Sequence, residues 1–180
     1  MFGMGERRDE CAETRLRKQL WKELQDDRTL MLGLHGVDDD RTRPMTVQVD
    51  RPDGADKEDG GPIYFFASRD EGVGKDLRDG ARAVATFVSK GHGLFAHIHG
   101  TLRESTSKAV IERLWNPIVA SWYKDGKDDP NLLLIKFDAT RADIWEADGM
   151  GTLKAAELKW AFDVDPGDEL KKEHQAEVKL

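Results

Sequence analysis

Gly60-Gly-Pro-Ile-Tyr-Phe-Phe-Ala-Ser-Arg-Asp-Glu-Gly-Val-Gly-Lys75 runs from an apolar segment into a polar, glycine-containing loop that ends on a lysine. Ile63, Tyr64, Phe65 and Phe66 are β-branched or aromatic and follow a Gly-Gly-Pro breaker, the usual boundary of a short buried strand. Ser68, Arg69 and Lys75 then place a hydroxyl and two cations where the chain leaves the sheet. With nearby backbone N–H groups they suit an anionic group. A plain strand followed by a solvated turn has the same pattern, so the surrounding elements must decide between the two.

Upstream, residues 43–50 (Arg-Pro-Met-Thr-Val-Gln-Val-Asp) read as a strand and residues 28–37 as the one before it, joined by the acidic turn Asp38-Asp39-Asp40 as a hairpin. Between them and the opening stretch, residues 51–61 are polar and rich in breakers, hence an exposed loop. Further upstream, Leu16, Leu20, Trp21 and Leu24 form one apolar face of a helix over about residues 6–27. Downstream, residues 76–79 suggest a short helix stopped by Gly80. Strands over 83–89 and 94–103 flank the glycine-rich turn Lys90-Gly-His-Gly93. Ser105 or Thr106 can cap a helix to about Asn116, and Pro117 can end it and start another containing Ile118, Val119, Trp122 and Tyr123. Residues 131–137 and 141–145 read as two last strands, and the tail beyond about Pro166 is charged and carries no assigned element. About seven strands joined mostly by hairpins predict a mainly β fold, an antiparallel sheet closed on itself with flanking α-helices.

A chain of 180 residues suits a single domain, here divided into the helix over about 6–27, a barrel with its helices over about 28–158, and the tail. Net charge is −7, with no lysine- and arginine-rich block interleaved with aromatics, so no nucleic-acid partner is expected. Cys11 is the only cysteine, which excludes an internal disulfide or a cysteine metal cage and fits a reducing cytoplasm. Residues 1–10 lack an apolar run, and no window approaches the roughly 20 apolar residues of a membrane span.

His97 and His99 share one side of a strand, but no further ligand at matched spacing supports a metal. No nucleophile elbow, P-loop or dinucleotide fingerprint follows a strand, and Gly72-Val-Gly74 is too short to count. The acidic runs lack the calcium-loop spacing. Trp115 and Trp122 lie on helical faces and favour packing; Trp145, at a strand end, is the better candidate for stacking on a planar ligand.

With its elements in order, the chain resembles the pyridoxamine 5'-phosphate oxidase-like FMN-binding split-barrel superfamily, and within it the general stress protein 26 group. The likeness rests on Arg43-Pro-Met-Thr46, Ile63-Tyr-Phe-Phe-Ala-Ser-Arg69, Lys75 with Leu77, Ala83-Val-Ala-Thr-Phe87, Gly100, Leu114-Trp-Asn-Pro117, Asp129-Pro-Asn-Leu132 and Ala142-Asp-Ile-Trp145. The resemblance implies a homodimer with two FMN sites, FAD being possible, at the subunit interface. It implies that Arg43 and Lys75 contact the phosphate and that Met45 and Thr46 lie against the flavin edge. Phe66, Ala67 and Ser68 would lie beside the ring or the phosphate, and Trp145 would come from the other subunit. Three departures stand out: the loop from Ser68 to Lys75 is longer than the family norm, with Glu71-Gly-Val-Gly74 where a compact turn is usual, and two more set the chain apart from the true oxidases. Phe95 replaces a flavin-contacting glutamine, and Glu146-Ala-Asp-Gly-Met-Gly151 stands where a substrate motif of the Arg-Leu-His type is usual. The expected function is an FMN-binding, stress-related protein, a flavin-dependent reductase with a nicotinamide donor rather than a pyridoxamine phosphate oxidase. The alternative is a non-catalytic flavin-binding or sensing module. No side chain stands out as a catalytic acid or base.

Overall fold

A computed structural model describes residues 11–147 and 174–180. The start of the expected N-terminal helix before residue 11, the end of the expected barrel region from residue 148, and the tail up to residue 173 lie outside them.

Helix α1 (Ala12–Asp27) forms because Leu16, Leu20, Trp21 and Leu24 recur at helical spacing, and all four are buried. It ends where Arg28 turns left-handed at φ 59° and its N–H closes on Leu24 O at 3.0 Å. Trp21 lies under Gly60, whose φ of +73° and closeness to the indole leave no room for a Cβ.

Among the described residues eight antiparallel strands make one sheet: β1 (Thr29–Leu34), β2 (Thr42–Thr46), β3 (Gln48–Val49), β4 (Ile63–Ser68), β5 (Ala81–Val88), β6 (Leu94–Ser105), β7 (Leu132–Glu146) and β8 (Gln175–Lys179). Their order is β2-β1-β5-β6-β7-β4-β3, with β8 on the remaining part of β7. β2 and β3 sit at opposite edges of that order yet are separated only by Val47. One stretch of chain therefore closes the sheet, and the architecture is the expected antiparallel barrel. Alternate residues fill it: Ala83, Ala85 and Phe87 of β5 and Leu94, Ala96, Ile98 and Leu102 of β6 point inward. Phe65 and Phe137 meet there at 6.3 Å between ring centroids.

Several boundaries differ from the sequence reading. The strand expected over 43–50 is broken at Val47, whose N–H turns to Arg28 O. The two expected last strands are one, because β6 pairs along β7 from Leu94↔Glu146 to Ser105↔Leu134, taking up a bulge at His99/Gly100. The polar Asp138 that reads as a turn instead bonds Arg103 at 2.7 Å and Lys136 at 2.8 Å on the outside of the sheet. The charged tail hides β8, where Ala176 and Val178 pack inward while Gln175, Glu177 and Lys179 stay exposed. Helix α2 (Gly72–Asp76) comes earlier than expected because Val73, 3% exposed, anchors it to the core. Ser107, rather than Ser105 or Thr106, caps α3 (Lys108–Leu114). α4 (Pro117–Ala120) opens on proline with Asn116 as its cap, and Trp122 and Tyr123 follow it in a turn. No helix among the described residues is long and apolar enough to cross a membrane.

Glu146 ties three parts together. Arg15 of α1 donates to both its carboxylate oxygens (2.8 and 3.0 Å), and His174 Nδ1, just before β8, lies 2.8 Å from Oε2. Burial alone would raise its pKa, but the bonds and charges of Arg15 and His174 outweigh burial and hold it below the ordinary 4.5. A depressed carboxylate contributes stability that is complete above the unfolded value and lost as pH falls through the folded one. Glu146→Gln is therefore expected to cost about 1 kcal/mol at pH 7, since the pair is partly solvated. In urea denaturation the gap from wild type should narrow as pH falls from 4.5 through the lowered Glu146 value; a gap that stays constant over that fall would assign the loss to something other than the ionised carboxylate.

Candidate flavin cleft

The barrel is open along one seam. β4 pairs with β7 over its whole length but with β3 only through Ile63 and Tyr64, while β2 pairs only with β1. β2 and β4 approach within 8 Å between Cα atoms without forming a ladder. Pro44 in the middle of β2 gives a reason, since it has no N–H to offer across the seam.

The backbone direction on each side follows from the alternation of antiparallel pairing. Arg69 N donates to Asn131 O, which turns the N–H and C=O of Ala67 toward β7 and those of Phe66 and Ser68 toward the seam. Val47 N donates to Arg28 O, which turns Met45 and Arg43 toward β1 and leaves the C=O of Pro44 and both backbone groups of Thr46 facing the seam. Backbone donors and acceptors of both strands therefore face the seam. The floor is apolar, since Met45 and Ala67 both pack onto the main core.

Cations gather at one end of the seam. The Arg43 side chain, 31% exposed, is held by Asp38 Oδ2 at 2.9 Å. Its Cδ lies 3.9 Å from where a Cβ on Gly72 would sit, so it reaches across from β2 to the turn that opens α2. Gly72 has φ +55°, and Gly74 packs so tightly on Ser68 O that any Cβ would collide. Lys75, one residue further, is exposed, and no side-chain ion pair involving it is found among the described residues. The longer loop between Ser68 and Lys75 is thus a helical turn pressed onto the end of β4.

The expected site residues separate into three groups. Arg43, Met45, Thr46, Ala67, Ser68 and Lys75 gather around the seam. Phe66 contributes its backbone there, while its ring points away and meets Trp115 edge-on at 5.9 Å under α3 and α4. Trp145 lies elsewhere, eight residues along β7 beyond Phe137, the last residue paired with β4. At about 3.3 Å per residue that is more than about 25 Å along the strand. It stands on the outer face opposite Phe95, which is itself opposite Val88. All three are exposed, at 41%, 37% and 46%.

Two further features lie outside the expected site residues. Tyr123 and Asn131 grip the end of β4 from the side of β7; the only hint was the Asp129-Pro-Asn131 turn. On the outer face the rings of His97 and His99 lie 4.5 Å apart, with Asp143 Oδ2 3.4 Å from His99 Nε2. They border an open groove of about 680 Å³ with Arg82, Val84 and Arg141. Burial first, then the neighbouring His99, lowers the His97 pKa. No group of three or more histidine, cysteine or acidic residues that could hold a metal occurs among the described residues.

The fold and seam define a split β-barrel with a polar-edged, cation-ended cleft. Residues 16–162 match the family described as pyridoxamine 5'-phosphate oxidase like, and the chain belongs to that family. Among solved structures it is similar to a general stress family protein from Xanthomonas campestris pv. campestris, with 50% identity and a TM-score of 0.67 over 75% of this chain and 89% of that one. It is also similar to the general stress FMN/FAD binding protein of Xanthomonas citri, with 49% identity and a TM-score of 0.67 over 75% and 91%. A general stress protein 26 from Jannaschia sp. CCS1 shares 27% identity, with a TM-score of 0.69 over 92% and 99%. No curated protein sequence matches the chain.

Proposed function

We propose that this chain is a cytoplasmic, homodimeric flavoprotein of the general stress type that binds FMN, or FAD, in the seam between β2 and β4. The observation that carries the reading is the unladdered seam with Arg43 bridging it at one end. The Xanthomonas citri relative named for FMN/FAD binding supports it. Arg43, Lys75 and the Ser68 hydroxyl would hold the phosphate, which carries nearly two charges and favours charge-assisted bonds. The edges at Thr46, Phe66 and Ser68 would meet the ring's polar atoms, and Met45 and Ala67 its apolar surface. Trp145 cannot reach its own seam, so a second copy would supply it. The exposed Val88, Phe95 and Trp145 give that copy an apolar face to cover.

A bound flavin supplies two-electron redox chemistry, while the protein orients and shields it. A reductase taking electrons from a nicotinamide donor is the enzymatic form of the proposal. The alternative is a non-catalytic flavin carrier or sensor. Titration of the purified protein with FMN and with FAD is expected to quench tryptophan fluorescence and raise the melting temperature. No change with either cofactor would sink the cofactor assignment. Anaerobic mixing of the loaded protein with NADH or NADPH then separates the two forms: bleaching of the flavin band supports the reductase, and an unbleached band with both donors supports the carrier.

A further inference from the structure

We infer that Tyr123 and Asn131 are positioning residues for the cleft, acting through the backbone of β4 rather than by touching the ligand; this rests on the flavin reading above. The Tyr123 hydroxyl donates to Ala67 O at 2.9 Å. Its ring, buried with Val119 and Leu132, lies 6.1 Å from Trp115, which in turn braces Phe66. The Asn131 backbone carbonyl and side-chain Oδ1 both accept from Arg69 N, each at 3.0 Å, and its Nδ2 donates to Asp70 Oδ1 at 2.9 Å. Asp129 Oδ1 fixes Asn131 in turn by accepting from its N–H at 2.9 Å.

These contacts fall on Ala67, Arg69 and Asp70, the residues that alternate with or follow the two whose backbone faces the seam. In a strand, fixing the peptide planes on the β7 side fixes the direction of the intervening Phe66 and Ser68 groups. The same grip sets the exit of the chain toward Gly72, Gly74 and Lys75, where the close packing of Gly74 on Ser68 O leaves no slack. The phenol is protonated at neutral pH in any case, and burial, by pushing it up to about 12, keeps it a donor to Ala67 O into the alkaline range. Tyr123 and Asn131 lie 8 residues apart in the chain on the turn that leads into β7, so one loop delivers both halves of the grip.

The test compares FMN binding by full-length wild type, Tyr123→Phe and Asn131→Asp. Tyr123→Phe keeps the ring and removes only the hydroxyl with its bonds to Ala67 O and the Ser68 side chain, and Asn131→Asp sets a carboxylate against Asp70 while keeping the acceptor for Arg69. Each is expected to raise the FMN dissociation constant about five- to tenfold, the loss of one or two positioned bonds, and to change the visible circular dichroism of the bound flavin. Wild-type dissociation constant and visible spectrum in both variants overturn the inference, even if their apo melting temperatures fall, since that leaves only a structural role. If wild type itself fails to bind FMN or FAD, it is the flavin reading that falls. Should one variant not fold, the other decides.

Discussion

Arg43→Glu is expected to raise the dissociation constant for FMN at least about 100-fold while leaving the unfolding midpoint close to wild type. The two effects separate because Arg43 does different things for the fold and for the ligand. Its partner in the free protein is Asp38, a pair in which both side chains are about a third exposed, and such surface pairs are worth at most about 1 kcal/mol. For a phosphate at the end of the seam, however, the guanidinium is the cation that spans from β2 to the turn at Gly72. Charge-assisted bonds to such a group are worth about 1.5–3 kcal/mol each, and reversal adds repulsion, so a loss of about 3 kcal/mol or a little more follows. Fluorescence titration with FMN and with riboflavin checks the cause as well as the size. The variant should lose FMN affinity but bind riboflavin, which has no phosphate, much as wild type does. Equal losses for both ligands would remove Arg43 from the phosphate and place its effect on the ring or the fold.

Much of this cleft was legible in the chain as written. The run Ile63 to Ser68 announces a strand by its residue types, and Arg43, Met45 and Thr46 lie on β2, Ala67 and Ser68 on β4, and Lys75 on the helix that follows β4. The seam itself was not legible, because it is a missing ladder, and pairing between β2 and β4 depends on how a distant stretch closes the sheet. Pro44 is visible in the sequence, but only the register shows that its absent N–H faces β4. The role of Phe66 divides for the same reason. An aromatic beside Ala67 reads as a ring wall, yet strand alternation sends its side chain to Trp115 and only its backbone to the seam. β8 was missed because alternation with charged outward residues reads as polarity when only two inward residues, Ala176 and Val178, carry the signal. Tyr123 was read as one more apolar helix residue, since nothing local indicates that its hydroxyl reaches a carbonyl 56 residues back in the chain.

On the proposed dimer, Phe95→Asp is expected to convert the protein to a monomer and, with it, to weaken flavin binding more than tenfold. Phe95 is the middle of the outward row Val88, Phe95 and Trp145, with side chains directly across neighbouring strands at about 5 Å between Cβ atoms. Each is partly exposed, so no core contact depends on the ring and the isolated fold should keep its far-ultraviolet spectrum. A carboxylate at that point has no cation opposite it on its own sheet, and two copies meeting there would bury an unpaired charge, a cost of several kcal/mol. Sedimentation at micromolar concentration reads the assembly, and FMN titration reads the site. The two are linked because Trp145 stands more than about 25 Å along β7 from the strand that forms its own seam. The same face carries the His97 and His99 pair, with Thr86 and Asp143 beside the first and Val84 and Arg141 beside the second. Burial and then His99 already lower the His97 pKa in one copy, so the neutral form is the one suited to being covered. Assembly should be insensitive to pH above 6.5 and weaken only as pH falls through the lowered His97 value beneath it. A Phe95→Asp protein that remains dimeric, with wild-type flavin affinity, would put the partner on another surface and leave Trp145 without a role in the cleft.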